Sequence, residues 1–123
     1  MATIKSFTSL EQSRKLAEIL PLESADMRYE YPSREKDEIQ EPINGFSKSS
    51  FNWFKDSNSF IYSPCWSLAA LLGVLPKGTN ISTPNPLGEI RYSCWNDYDI
   101  TYASNPVDAC YEMILKLKEL KML

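Results

Sequence analysis

The sequence predicts an α+β fold in which a mostly antiparallel sheet packs against about three helices. Apolar residues recur at helical spacing in some segments and alternate with polar residues in others, which turn-forming residues separate. The strongest strand signals follow one another through tight turns, and this favours antiparallel pairing over crossover connections. At 123 residues the chain is expected to form one compact domain over residues 1–123.

The first third of the chain is predicted to contain one helix, one strand and a loop. A helix at about residues 9–20 follows from the capping-box spacing of Thr8 and Glu11 and from leucines that recur on one face. The run from Met27 to Tyr31 alternates apolar and charged residues, which is typical of a half-buried strand. Residues 32–50 mix charges with Pro, Gly and Ser without periodicity, so an exposed charged loop is predicted there.

The middle of the chain is predicted to contain a hairpin and a second helix. Two aromatic segments, residues 51–54 and 60–62, flank a polar stretch and are predicted to pair. The dipeptide Ser63-Pro64 suits a cap and a first helical position, which predicts a helix at about residues 64–75. The Pro- and Gly-containing stretch that follows leaves room for a short edge strand near residues 79–82.

The last elements have the clearest signals. Residues 89–95 alternate, and residues 98–102 alternate again after the turn-forming pair Asn96-Asp97, which predicts a hairpin. The final helix is predicted to begin at Asn105-Pro106. Its first turns carry acids and its last turns carry lysines, an order that matches the helix dipole.

Composition excludes several function classes. The chain has no histidine, which rules out a serine–histidine–acid triad, a cysteine–histidine pair and an HExxH zinc site. Its four glycines are too far apart for a phosphate loop or a dinucleotide fingerprint. A formal net charge of -3 argues against nucleic-acid binding. The longest apolar stretch, residues 68–75, is too short to cross a membrane, so we expect a cytoplasmic protein. We also expect it to bind no cofactor and no metal ion.

The three cysteines are predicted to be buried free thiols, because their number is odd and they are well separated. Cys65 is the one cysteine whose predicted position favours a reactive thiol. It lies next to the predicted start of the second helix, where unpaired amides and the helix dipole favour a thiolate. This leaves open an alternative function, a thiol-dependent enzyme or a redox protein that uses Cys65.

Aromatic residues are the most suggestive feature for function. Several lie on strands that have aromatic residues on both faces, so part of this surface is expected to be exposed rather than packed in the core. Tyr and Trp are also the residues that anchor protein interfaces. The leading hypothesis is therefore a non-enzymatic protein that binds another protein through Trp53, Phe54, Trp95 and Tyr98. Packing in the core alone, or an interface within a homo-oligomer, are the alternatives.

Four short blocks of the sequence resemble a known group of proteins. They are Leu-Glu-Gln-Ser-Arg-Lys-Leu at residues 10–16, Ser-Ala-Asp-Met at 24–27, Pro-Cys-Trp-Ser-Leu at 64–68 and Pro-Val-Asp-Ala-Cys-Tyr at 106–111. The pattern resembles small uncharacterised proteins encoded in prophage and conjugative-element regions of gut bacteria. The resemblance implies an accessory protein of a mobile element that acts in the bacterial cytoplasm. It implies no ligand, activity or catalytic residue.

Overall fold

The computed structural model describes residues 5–35, 38, 40–84 and 91–123. Within these ranges, four α-helices and two antiparallel sheets of three strands each form an α+β fold. The predicted fold class is confirmed. The described part has four helices rather than about three, because an aromatic segment predicted as a strand is helical, and its strands form two small sheets.

Helices and strands follow one another along the chain. The helices are α1 (Leu10–Ala17), α2 (Lys48–Phe54), α3 (Leu68–Val74) and α4 (Pro106–Glu119). The strands are β1 (Met27–Pro32), β2 (Ile43–Asn44), β3 (Phe60–Cys65), β4 (Asn80–Ser82), β5 (Tyr92–Trp95) and β6 (Ile100–Ala103). The first sheet has the order β2–β1–β3 and the second has the order β4–β5–β6.

The N-terminal cap of helix α1 lies one residue later than predicted. Ser9, not Thr8, accepts a hydrogen bond from the backbone N–H of Gln12, whose side chain accepts in turn from the backbone N–H of Ser9. The hydroxyl of Thr8 is used elsewhere, since it contacts Ser13 at 2.7 Å and accepts from the backbone N–H of Trp66. The predicted capping-box pair was therefore the wrong one, although a capping box is present.

Residues 32–50, predicted to be a loop, include a strand and the start of a helix. Strand β2 pairs with β1, and the guanidinium of Arg28 donates to the carbonyl oxygens of Asn44 and Gly45 at 2.8 Å and 3.1 Å. Helix α2 begins at Lys48, where the hydroxyl of Ser47 accepts from the backbone N–H of Ser50. Most described residues of this segment are exposed, whereas residues 36, 37 and 39 lie outside the described ranges.

The hairpin predicted from residues 51–54 and 60–62 is wrong. Residues 51–54 complete α2, while residues 60–62 belong to β3. Strand β3 pairs over its whole length with β1, in a register that places Tyr29 opposite Ser63. Phe51 and Phe54 are separated by one helical turn, so α2 presents both rings on one face.

The predicted start of the second helix is also wrong. Strand β3 continues through Cys65, and α3 begins only at Leu68. Ser67 is the true cap: its hydroxyl accepts from the backbone N–H of Ala70. The carboxylate of Asp26 accepts from both the backbone N–H and the hydroxyl of Ser67, which fixes the turn between β3 and α3.

The last third of the chain folds as predicted where it is described. Strand β4 lies within residues 79–82, and β5 and β6 form the expected hairpin with Trp95 opposite Ile100. Helix α4 begins at Pro106, and the side chain of Asn105 caps it by accepting from the backbone N–H of Asp108 at 2.8 Å. Residues 89 and 90 of the predicted hairpin lie outside the described ranges.

Two buried clusters hold these elements together. The larger one joins α1, α3, β5 and α4 around Trp66, which is fully buried and donates its indole N–H to the hydroxyl of Ser24 at 2.9 Å. The smaller one lies between β1 and β3 and contains Tyr29, Tyr31, Ile61 and Cys65. Helix α4 covers the inner face of the second sheet, and the opposite face carries large apolar side chains that are partly exposed.

Candidate functional site

The outer face of the second sheet exposes several large apolar side chains. Because successive residues of a strand point to opposite sides, Cys94 points inward toward α4 and Trp95 points outward. On β6, Ile100 and Tyr102 point outward in the same way. Trp95, Ile100 and Tyr102 are 41%, 45% and 42% exposed, and these three residues are called the outer face below.

Strand register places the three side chains next to one another. Trp95 lies directly opposite Ile100, and Tyr102 lies opposite Ser93, one step along the same side. The indole N–H of Trp95 donates to the hydroxyl of Ser82 on β4 at 2.9 Å, which holds the ring across the sheet. The outer face is therefore a continuous apolar patch with an ordered tryptophan.

Each end of the patch carries further aromatic or charged contacts. The guanidinium carbon of Arg91 lies 4.3 Å from the centroid of the Tyr102 ring, a cation–π arrangement. At the other end, the side-chain oxygen of Asn96 accepts from the backbone N–H groups of Tyr98 and Asp99 at 2.9 Å and 3.2 Å. This turn presents Tyr98 with half of its surface exposed.

The four aromatic residues predicted to bind a partner fall into two groups. Trp95 and Tyr98 lie on the same hairpin, as described above. Trp53 and Phe54 lie on α2, which packs against the first sheet. Trp53 is 79% exposed, whereas the ring of Phe54 lies 4.7 Å from that of Phe60 and is half-buried. The structure therefore does not gather all four residues on the hairpin.

Ile100 and Tyr102 complete the patch, although neither was among the residues predicted to bind. The sequence signal that could have found them is the alternation of Tyr98, Ile100 and Tyr102. That pattern places them on one side of a strand but does not say whether the side faces the core. The packing of α4 against the opposite side decides this.

Cys65 does not occupy the position that suggested a reactive thiol. It is the last residue of β3, is fully buried and lies before the cap of α3 rather than at a helix start. Its sulfur lies 3.4 Å from the carbonyl oxygen and 3.6 Å from the hydroxyl of Thr8. Burial raises the pKa of the Cys65 thiol, and the hydrogen bonds from neighbouring hydroxyls only partly oppose this.

The other two cysteines lie together in the core. Cys94 of β5 and Cys110 of α4 are both free and fully buried, and each thiol affects the ionisation of the other. This interaction lowers the pKa of Cys94 and raises the pKa of Cys110. Burial was predicted, but their proximity was not, because it depends on how α4 crosses the second sheet.

The described residues contain no group of three or more His, Cys, Asp or Glu side chains that could hold a metal ion. No helix in the described ranges is long and apolar enough to span a bilayer. The chain matches no protein-family model, no curated protein and no solved structure.

Proposed function

We propose that the chain is a non-enzymatic accessory protein that binds another protein through the outer face. The observation that carries the proposal is the exposure of Trp95, Ile100 and Tyr102 side by side in register. A group of exposed apolar side chains on a protein surface marks an interaction site more often than an isolated apolar residue does. Tryptophan and tyrosine are also the side chains that contribute most to interface affinity.

The side chains of the outer face indicate what kind of partner surface would fit them. Trp95 is held by its bond to Ser82, so little side-chain entropy is lost when its ring is covered. Polar side chains share this face: Asn80 lies opposite Trp95, and Ser93 lies opposite Tyr102. Apolar anchors beside polar groups are typical of protein interfaces. The partner would offer an apolar recess for the indole ring and polar groups around it.

The biological setting rests on the sequence resemblance alone. The four matching blocks favour an accessory protein of a mobile element that works in the bacterial cytoplasm. The acidic net charge of -3 supports a protein partner over a nucleic acid. The same patch on a second copy of the chain is the competing occupant, and the experiment below separates the two.

The test compares two tryptophan variants. The tagged chain is used to capture partners from a bacterial lysate treated with nuclease, and a captured protein is then purified and titrated against the wild-type chain, Trp95→Ala and Trp53→Ala. Both variants lose an exposed indole, but only Trp95 belongs to the outer face. We expect Trp95→Ala to weaken binding at least about tenfold and Trp53→Ala to leave it unchanged.

Three results would contradict the proposal. The first is a partner bound equally well by Trp95→Ala, provided that the circular dichroism of the variant matches that of the wild-type chain. The second is loss of binding only in Trp53→Ala, which would move the interface to α2. The third is capture of nothing but further copies of the chain, with light scattering that shows a concentration-dependent oligomer abolished by Trp95→Ala.

A further inference from the structure

An aromatic cleft lies between α1, α2 and β3, on the first sheet and away from the outer face. Its volume is about 400 Å³, which is within the usual range for small-molecule sites. Phe51 and Phe54 of α2 and Phe60 and Tyr62 of β3 line it. We call it the α1–α2 cleft. None of the outer-face residues lines it.

The aromatic walls of the cleft are held in place by one another. The centroids of the Phe54 and Phe60 rings are 4.7 Å apart, and those of Phe54 and Tyr62 are 6.1 Å apart with 26° between the ring planes. The hydroxyl of Tyr62 accepts a hydrogen bond at 3.0 Å from the backbone N–H of Ser47, the cap of α2. Because Tyr62 is buried and these rings already pack on one another, the wall is fixed before a ligand binds. A flat aromatic ring can lie against the partly exposed Phe51 and Phe54 without reorganisation of that wall.

Two cations line the same cleft. Arg14 of α1 and Lys55, at the end of α2, both border it. Within the described part of the chain, neither side chain forms an ion pair with a carboxylate. Glu18 also borders the cleft, but its carboxylate lies 4.0 Å from the ammonium of Lys15. The cleft therefore has a net positive rim around an apolar interior.

We propose that the α1–α2 cleft binds a small planar aromatic carboxylate, whose ring packs against Phe51 and Phe54 and whose carboxylate pairs with Arg14. A guanidinium matches a carboxylate through two parallel hydrogen bonds, which a neutral or cationic head group cannot form. Lys55 adds a second positive charge. This site is separate from the outer face and does not depend on the protein partner.

The experiment is an NMR titration of the full chain, labelled with ¹⁵N, with 2-naphthoate as the probe. The matched probes are 2-naphthamide, which keeps the rings without the charge, and cyclohexanecarboxylate, which keeps the charge without the aromatic rings. We expect saturable shifts of the Phe51, Phe54 and Tyr62 amides with naphthoate, and binding at least about fivefold weaker for each matched probe.

Variants locate the charge requirement. Arg14 is exposed and is not part of the buried core, so Arg14→Gln is expected to fold normally and to weaken naphthoate binding by about fivefold. The control is Lys77→Gln, which removes an exposed cation that does not line the cleft. It should leave the affinity unchanged.

The proposal is overturned if naphthoate causes no saturable shifts at the cleft amides up to about 5 mM. It is also overturned if naphthamide binds as tightly as naphthoate, or if Arg14→Gln and Lys77→Gln behave alike. These outcomes say nothing about the outer face. Loss of partner binding in Trp95→Ala, conversely, says nothing about the cleft, so the two proposals fail separately.

Discussion

Replacing Thr8 with valine is the sharpest stability test that the structure offers. Thr8 is fully buried, and its hydroxyl lies 2.7 Å from that of Ser13 and accepts from the backbone N–H of Trp66 at 3.1 Å. Valine keeps the shape of the side chain but removes the hydroxyl. The substitution therefore isolates the hydrogen bonds that join the N-terminal segment to α1 and to Trp66, the residue after β3.

The expected cost follows from the groups left without partners. The backbone N–H of Trp66 and the hydroxyl of Ser13 are both buried, and each unsatisfied buried group costs about 1–3 kcal/mol. Because Ser13 can rotate toward another acceptor, we expect Thr8→Val to lower the free energy of unfolding by about 2–4 kcal/mol. Thr8→Ser keeps the hydroxyl and loses one methyl group, so it should cost only about 1 kcal/mol.

Urea unfolding measures both variants against the wild-type chain. Circular dichroism reports the helices, and the change in tryptophan fluorescence reports mainly Trp66, because Trp53 and Trp95 are already exposed in the folded chain. Coincident transitions with an unchanged m-value would justify comparing free energies. The reasoning is refuted if Thr8→Val lies within about 0.5 kcal/mol of the wild-type chain. It is equally refuted if Thr8→Ser is the more damaging change, because burial of the methyl group would then matter more than the hydrogen bonds.

Three further predictions concern charge, backbone and thiol. Burial opposes ionisation of Asp108, but hydrogen bonds from its polar neighbours outweigh this and lower its pKa. The ionised carboxylate should therefore contribute fully to the free energy of unfolding above about pH 5, and this contribution should be lost as the pH falls through the lowered pKa. In Asp108→Asn the urea midpoint should fall less steeply with decreasing pH. At Gly73 an added Cβ would meet open space, so Gly73→Ala should raise the free energy of unfolding by about 0.5–1 kcal/mol. Gly78 has a φ of 86°, so Gly78→Ala should lower the free energy of unfolding by about 1 kcal/mol in the same assay. Cys65 should react slowly with iodoacetamide in the native chain and quickly in urea; equal rates by mass spectrometry would contradict its burial.

Local signals were enough to predict the elements whose structure depends on local contacts. Asn105 caps α4 through a side chain three residues from its partner, and the β5–β6 hairpin closes across a four-residue connection. The misassigned residues are those whose conformation depends on distant strands. Ser63-Pro64 has the composition of a helix start, yet both residues pair with Tyr29 and Arg28 of β1. The extended backbone preferred before proline agrees with this pairing.

The aromatic residues of α2 show the same limit. Phe, Tyr and Trp favour strands in general, so residues 51–54 suggested one. The contact that a local pattern does not encode is the packing of Phe54 on Phe60 of β3, whereas the cap at Ser47 supports the helix locally. The candidate sites inherit this limit: the sequence predicted an exposed aromatic surface, but the cleft depends on α1, α2 and β3 meeting, which no local pattern encodes.

The two proposed sites share no residue, yet one route could couple them. Helix α1, which borders the cleft, is joined to α4 by a hydrogen bond of 2.8 Å from the side-chain amide of Gln12 to Asp108. Helix α4 in turn packs beneath the outer face. If the two sites are independent, Trp95→Ala should change naphthoate affinity by less than about twofold, as is usual for distant sites without shared contacts. A larger change that Asp108→Asn abolishes would show instead that this junction transmits strain between the cleft and the sheet.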